Sequence, residues 1–215
     1  KEHAFNNCKL LKQIIITSSI NSIDNFAFNN CISMTHISIP NSVKKIGKCC
    51  FNGCLSLEQI IVPSSVVDIG DLAFKGCTSL TNITIPSSLC RIGKTIFCGC
   101  TKLNKINIQP ETVETLFNYY DDKYFIYKTK FSSENYTLLW INPTIENITL
   151  PKFIDTIDSY SFYLCSSLTE INIPPSVTSI EDYSFERCSL LTKINIPTSV
   201  TSIGYNSFSK CKSLT

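Results

Sequence analysis

Phe28-Asn29-Asn30-Cys31 is followed by Met34, by Ile37-Ser38-Ile39-Pro40, by Ser42-Val43 and by Ile46-Gly47, and the pattern returns at Phe51. The next cysteine, Cys54, lies 23 residues after Cys31. The same step links Cys8, Cys31, Cys54, Cys77 and Cys100, and later Cys165, Cys188 and Cys211. Self-similarity at one short, fixed period is the mark of a solenoid, whose units bury their apolar sides only against each other.

Working outward from that unit, an apolar pair recurs as Ile14/Ile16, Ile37/Ile39, Ile60/Val62, Ile83/Ile85 and Ile106/Ile108. Two apolar positions around one variable position predict a strand with one buried face. Leu11, Met34, Leu57, Leu80 and Leu103 precede the pairs by three residues, and Pro40, Pro63 and Pro86 follow them. Proline cannot extend a ladder, so it ends each strand. Gly47, Gly70 and Gly93 suit a tight turn after Ile46, Ile69 and Ile92. Phe28, Phe51, Phe74 and Phe97 then return to the core. A unit this short holds one strand, one or two turns, and room for a second short strand or helical turn.

From Cys100 to Cys165 the step is 65 residues, one unit of 23 plus one of 42. Ile148/Leu150, Ile171/Ile173 and Ile194/Ile196 resume the regular step. One unit therefore carries a 19-residue insertion. Its β-prone runs, Tyr124-Phe125-Ile126-Tyr127 and Tyr136-Thr137-Leu138-Leu139-Trp140, flank a polar turn and predict a hairpin. Residues 1–215 read as one solenoid: regular at 1–108, extended at 109–147, regular again at 148–215.

Composition removes several classes. Lys plus Arg is 19 and Asp plus Glu is 17, with a net charge of +2 and no basic block. Nucleic acid would call for a concentrated basic stripe. An anionic membrane surface would call for a polybasic cluster. No apolar run approaches the ~20 residues of a spanning helix. The chain opens and closes in mid-repeat, so it reads as an excised portion or a chain without end caps.

The 12 cysteines are mostly locked to the repeat phase. Stacked units set equivalent Cα atoms roughly 4.8 Å apart, within disulfide range. Their side chains point the same way, however, and the simplest reading is a column of small buried thiols acting as spacers. Cys49, Cys50, Cys90 and Cys98 lie off that phase. There are two histidines, His3 and His36. His36 precedes Ile37 and should face solvent, away from the buried thiols, which argues against a Cys–His nucleophile pair. No Cys-x2-Cys pair occurs, and a linear column does not converge tetrahedrally, so no metal or other cofactor is expected. Sequons occur at Asn82, Asn135 and Asn147, of which Asn135 falls on the predicted hairpin turn.

Phe74, Cys77, Leu80, Ile83, Ile85, Pro86, Ser88, Leu89, Ile92 and Gly93 carry a pattern that resembles the BspA-like leucine-rich repeats. The resemblance covers almost the whole chain, and the return at Ile148-Thr149-Leu150-Pro151 also fits it. It implies a β-rich, α/β-type repeat solenoid, a right-handed superhelix with a parallel sheet on its concave side. It implies adhesion at a cell surface, to host or matrix proteins or to self, and no catalytic residues. An intracellular adaptor or cytoskeletal scaffold at the plasma membrane is the alternative, favoured by reduced thiols.

Three surfaces are candidate protein-binding sites. Period-two alternation puts His36, Ser38, Gln59, Ile61, Asn82, Thr84, Lys105, Asn107, Asn147, Thr149, Glu170, Asn172, Lys193 and Asn195 on the open strand face. Concave solenoid faces bind extended partners. The aromatics of the insertion, Tyr124, Tyr127 and Trp140, are a rival hot spot unless they pack inward. At the C-terminal end, Phe208, Cys211 and Leu214 are core-type residues without a cap, and predict a homodimer or end-to-end stacking.

Overall fold

The computed structural model describes residues 1–17, 19–109, 117–120, 123–128 and 136–215, with the backbone alone for 117–120 and 124–128. The chain divides into two compact units, Lys1–Leu116 and Phe117–Thr215.

The first unit holds β1 (Ser22–Ile23), β2 (Lys45–Ile46), β3 (Gln59–Ile61), β4 (Asp68–Ile69), β5 (Asn82–Pro86), β6 (Arg91–Ile92) and β7 (Lys105–Gln109). They form two parallel ladders, β3-β5-β7 and β1-β2-β4-β6. Register follows the 23-residue step: Ile60 lies against Ile83 and Ile83 against Ile106, while Ile46 lies against Ile69 and Ile69 against Ile92. A parallel bridge between Ile15 and Ser38 continues the first ladder toward the N-terminus. The anticipated second strand is thus real, two residues long, and built on Ile23, Ile46, Ile69 and Ile92.

After each second strand the chain runs in an arc that hydrogen-bonds to the next arc. The amides of Phe26, Phe28 and Asn30 donate to the carbonyls of Lys48, Cys50 and Asn52 at 2.9, 2.9 and 2.7 Å. Those of Cys49, Phe51 and Gly53 donate in turn to Asp71, Ala73 and Lys75. To aim alternate amides along the stack, each arc uses two left-handed residues. The first place is taken by His3, Phe26, Cys49, Leu72 and Thr95, the second by Asn7, Asn30, Gly53, Gly76 and Gly99. Asn and Gly tolerate that conformation.

Gly47, Gly70 and Gly93 have a different role from the turn predicted for them. None has positive φ; a Cβ on each would lie 2.4, 2.5 and 2.3 Å from a backbone nitrogen of the preceding arc. Their amides donate to Ile23, Ile46 and Ile69 at 2.7, 2.8 and 2.8 Å. Close backbone approach, rather than turn geometry, selects glycine there.

Two columns run through the interior, the first of them starting at the exposed Phe5. Phe5, Phe28, Phe51, Phe74 and Phe97 stack at successive ring distances of 5.2, 5.6, 5.5 and 6.1 Å. Beside them the thiols of Cys31, Cys54, Cys77 and Cys100 donate to the carbonyls of Phe5, Phe28, Phe51 and Phe74 at 3.1, 3.2, 3.2 and 3.1 Å. The carbonyls of Phe28, Phe51 and Phe74 also accept the amide of their own unit's cysteine. Each burial of such a phenylalanine contributes roughly 1.5–3 kcal/mol. Asn6, Asn29 and Asn52 add a partly buried amide ladder at 2.8 and 2.7 Å.

The second unit holds β8 (Phe117–Tyr120), β9 (Tyr124–Lys128), β10 (Tyr136–Ile141), β11 (Asn147–Thr149), β12 (Thr156–Ile157), β13 (Glu170–Asn172), β14 (Ser179–Ile180), β15 (Lys193–Asn195) and β16 (Ser202–Ile203). β11-β13-β15 is one parallel ladder. The insertion is more than a hairpin: β8, β9 and β10 pair antiparallel in sequence order. β10 then pairs parallel with β12, so it takes the place of a second strand in the order β16-β14-β12-β10-β9-β8. Phe162, Phe185 and Phe208 stack at 4.3 and 5.2 Å, and the thiols of Cys188 and Cys211 donate to Phe162 and Phe185 at 3.2 and 3.1 Å. No helix occurs among the described residues.

Candidate functional site

The strand ladders set out the candidate face row by row. In the first unit Gln59, Asn82 and Lys105 form one row and Ile61, Thr84 and Asn107 the next. His36, Ser38, Gln59, Ile61 and Lys105 are exposed, and Asn82, Thr84 and Asn107 half-buried. In the second unit Asn147, Glu170 and Lys193 form one row and Thr149, Asn172 and Asn195 the other, all exposed. The intervening Ile60, Ile83, Ile106 and Ile171 are buried, so alternation places the variable residues outside as the sequence implies.

The two faces differ chemically. Ile15 and Ile61 are 90 % and 68 % exposed, with Ser38 in the row between them. No apolar side chain interrupts the exposed rows of the second unit, where Lys193 pairs with Glu170 at 3.1 Å. On the second ladder of the first unit Asp68 meets Lys45 at 3.8 Å and Arg91 at 2.8 Å. Exposed pairs of this kind contribute about 0–1 kcal/mol.

The other two surfaces fare differently. Trp140 is 4 % exposed on β10, which corrects the expectation of an exposed anchor: Leu138, Leu139 and Ile141 are buried with it, so both faces of this end of the strand are covered. The side chains of Tyr124 and Tyr127, and the Asn135 sequon, lie outside the described residues. At the C-terminal end, Phe208, Cys211 and Leu214 are half-buried and pack against the second unit's core cluster.

All 12 cysteines are free, and Cys90 is exposed. Burial pushes the Cys31 thiol up to about 11 and the Cys54 thiol up to about 12, which keeps both protonated at neutral pH. The spacer reading of the phased cysteines stands, with one addition the spacing could not disclose: the thiols of Cys31, Cys54, Cys77, Cys100, Cys188 and Cys211 each have a carbonyl acceptor in the neighbouring arc. Among the described residues no cluster of His, Cys, Asp and Glu could hold a metal ion. No helix among them is long and apolar enough to cross a membrane.

One surface feature was missed. Tyr160 and Tyr183 occupy the first left-handed place of their arcs and stack at 4.9 Å, with Tyr163 and Tyr205 packed edge-on at 5.5 and 5.6 Å. The 23-residue spacing of Tyr160 and Tyr183 was the available signal.

Parallel ladders at a 23-residue step, an open strand face in each unit and an interior of stacked Leu, Ile, Phe and Cys define a leucine-rich-repeat solenoid. Residues 1–132 and 134–215 match the BspA type leucine rich repeat region, in six copies, and the chain belongs to that family. Among curated proteins none matches it. A leucine-rich repeat protein from Eubacterium ventriosum is 25 % identical, with a TM-score of 0.74 over 94 % of this chain and 58 % of its own. One from Bacteroides ovatus is 28 % identical, with a TM-score of 0.57 over 96 % of this chain and 48 % of its own. The pneumococcal vaccine antigen PcpA shares the fold at 23 % identity and a TM-score of 0.65, over 88 % and 51 %. The chain thus spans about half the length of these solved relatives.

Proposed function

We propose that this chain is a non-enzymatic protein-binding scaffold of a cell surface, which docks host or matrix proteins on its open strand face. The observation that carries this reading is the division of labour within the repeat. Residues fixed by the 23-residue pattern are consumed by packing, whereas the varied residues from His36 to Asn195 stand outside it on rigid strands. A preformed surface of many modest contacts binds without the cost of ordering a loop. Exposed Ile15 and Ile61 supply apolar anchors within a polar field. The surface location draws on membership of the BspA-type family.

The test is biolayer interferometry of the chain over a panel of immobilised matrix proteins. Gln59→Ala with Ile61→Ala should weaken binding at least tenfold, and Lys94→Ala on an arc should leave it unchanged. Binding that ignores the face pair would overturn the proposal.

Self-association belongs to the same proposal: a molecule of these 215 residues would pair through the end bearing Phe208, Cys211 and Leu214. Light scattering should then report a dimer at micromolar concentration, and a clean monomer would remove this element. The intracellular adaptor is the second reading, favoured by twelve free thiols.

A further inference from the structure

Beside β11 and β13 the second unit has a concavity of about 510 Å³. Its floor is the exposed row pair Asn147/Glu170 and Thr149/Asn172, and Lys123 forms a wall. Lys123 is held there by its backbone, whose carbonyl accepts the Asn142 amide at 2.8 Å. The volume lies within the range of small-molecule sites, but the lining is polar, which excludes an apolar ligand.

From this concavity we infer a binding site for a neutral, linear oligosaccharide that runs along the stack of strands. Two properties select that ligand. The first is the hydrogen-bonding inventory. Lys123 only donates, the Glu170 carboxylate only accepts, and Asn147, Asn172 and Thr149 do both. Sugar hydroxyls also donate and accept, so one pyranose satisfies mixed neighbours. A ligand with a carboxylate or phosphate on every residue would set one of them over the Glu170 carboxylate on the floor, a like-charge contact that a neutral sugar avoids.

The second is period. Equivalent side chains recur at the strand spacing, roughly 4.8 Å. A pyranose in an extended β-linked chain advances by about the same distance, so successive sugars meet Asn147/Thr149, Glu170/Asn172 and Lys193/Asn195 in turn. An extended peptide advances roughly 3.3 Å per residue and falls out of step with these rows. This inference does not rest on the protein-binding proposal. That proposal draws its exposed apolar anchors from the first unit, whereas the isoleucines of this site, Ile148 and Ile171, are half-buried and buried between the polar rows.

Saturation-transfer NMR on the 215-residue chain tests the inference. The probes are cellotriose and tri-N-acetylchitotriose, with trigalacturonic acid as the charged comparator. At least one neutral trisaccharide should show transfer at millimolar concentration, and the charged one should show less. Asn147→Ala and Asn172→Ala should each weaken binding about fivefold, the loss of roughly one net hydrogen bond. Gln59→Ala in the first unit should leave it unchanged. Thermal melts identify any variant that has lost its fold, and Asn172→Thr, which keeps a donor and an acceptor, should retain most of the affinity. No transfer from either neutral sugar, or transfer insensitive to Asn147→Ala and Asn172→Ala, would overturn the site. Preference for the charged sugar would overturn the assigned class.

Discussion

Replacing Cys77 by alanine isolates the thiol ladder. Cys77 is fully buried, and its thiol donates to the Phe51 carbonyl at 3.2 Å. Three losses add. Removing one buried apolar group of this size costs about 0.8 kcal/mol. The methyl-sized void it leaves costs about 1 kcal/mol, because stacked arcs above and below cannot both close on it. The sulfur–carbonyl bond contributes about 0.5 kcal/mol, a weak hydrogen bond whose acceptor retains the Cys54 amide. The sum, about 2 kcal/mol, corresponds to a fall in Tm of roughly 4–8 °C for a chain of this length. The assay is urea unfolding followed by far-UV circular dichroism, with an unchanged m value expected. Cys90→Ala is the internal control: Cys90 is exposed, and its replacement should change stability by less than about 0.5 kcal/mol. Equal effects at Cys77 and Cys90 would refute the ladder as a stabilising column.

Two glycine replacements should separate strain from collision. Gly76→Ala keeps φ at +70° and places its Cβ no nearer than 3.8 Å to a neighbour, so only backbone strain of about 1 kcal/mol is expected. Gly93→Ala has no such strain but would set a Cβ 2.3 Å from the Asp71 nitrogen, and about 1–3 kcal/mol is expected, both read by chemical denaturation. Stability should also depend on alkaline pH. The thiols of Cys31 and Cys54 are raised from the ordinary 9.0 to about 11 and about 12, so the unfolded chain ionises first. Stability from these groups is therefore complete below pH 9 and is lost as pH rises toward 12; a flat profile from 9 to 12 in pH-dependent unfolding would count against it. Alkylation at mildly alkaline pH followed by peptide mass spectrometry should label Cys90 in the native state, and Cys54 and Cys77 only after urea.

Much of the fold was legible because the core is written in one dimension. Ile60, Ile83 and Ile106 share one place in the repeat, and stacking turns a sequence period directly into a buried row. The open rows followed by alternation alone. What escaped was set by backbone geometry without a side-chain signature. His3, Phe26, Cys49, Leu72 and Thr95 have nothing in common as residue types, yet all adopt the left-handed conformation that lets arcs bond to each other. The glycines misled for the related reason that a close approach and a turn leave the same mark in sequence. The insertion was read as a hairpin because two β-prone runs flank a polar turn, a pattern that does not say which strand the second run joins. Trp140 is buried on β10, a strand paired with β9 on one side and with β12 on the other, and the β12 pairing is a long-range one that local propensity does not encode.

The central claim is that partner recognition resides on the strand face, separate from the residues that hold the stack. A deep mutational scan of the chain displayed on yeast, sorted once for folded display and once for matrix-protein binding, tests it most directly. Substitutions that spare display but abolish binding should cluster in the rows through Ser38, Ile61, Thr84 and Asn107 and through Thr149, Asn172 and Asn195. A cluster instead on the arcs, around Tyr160, Tyr183 and Tyr205, would contradict the account.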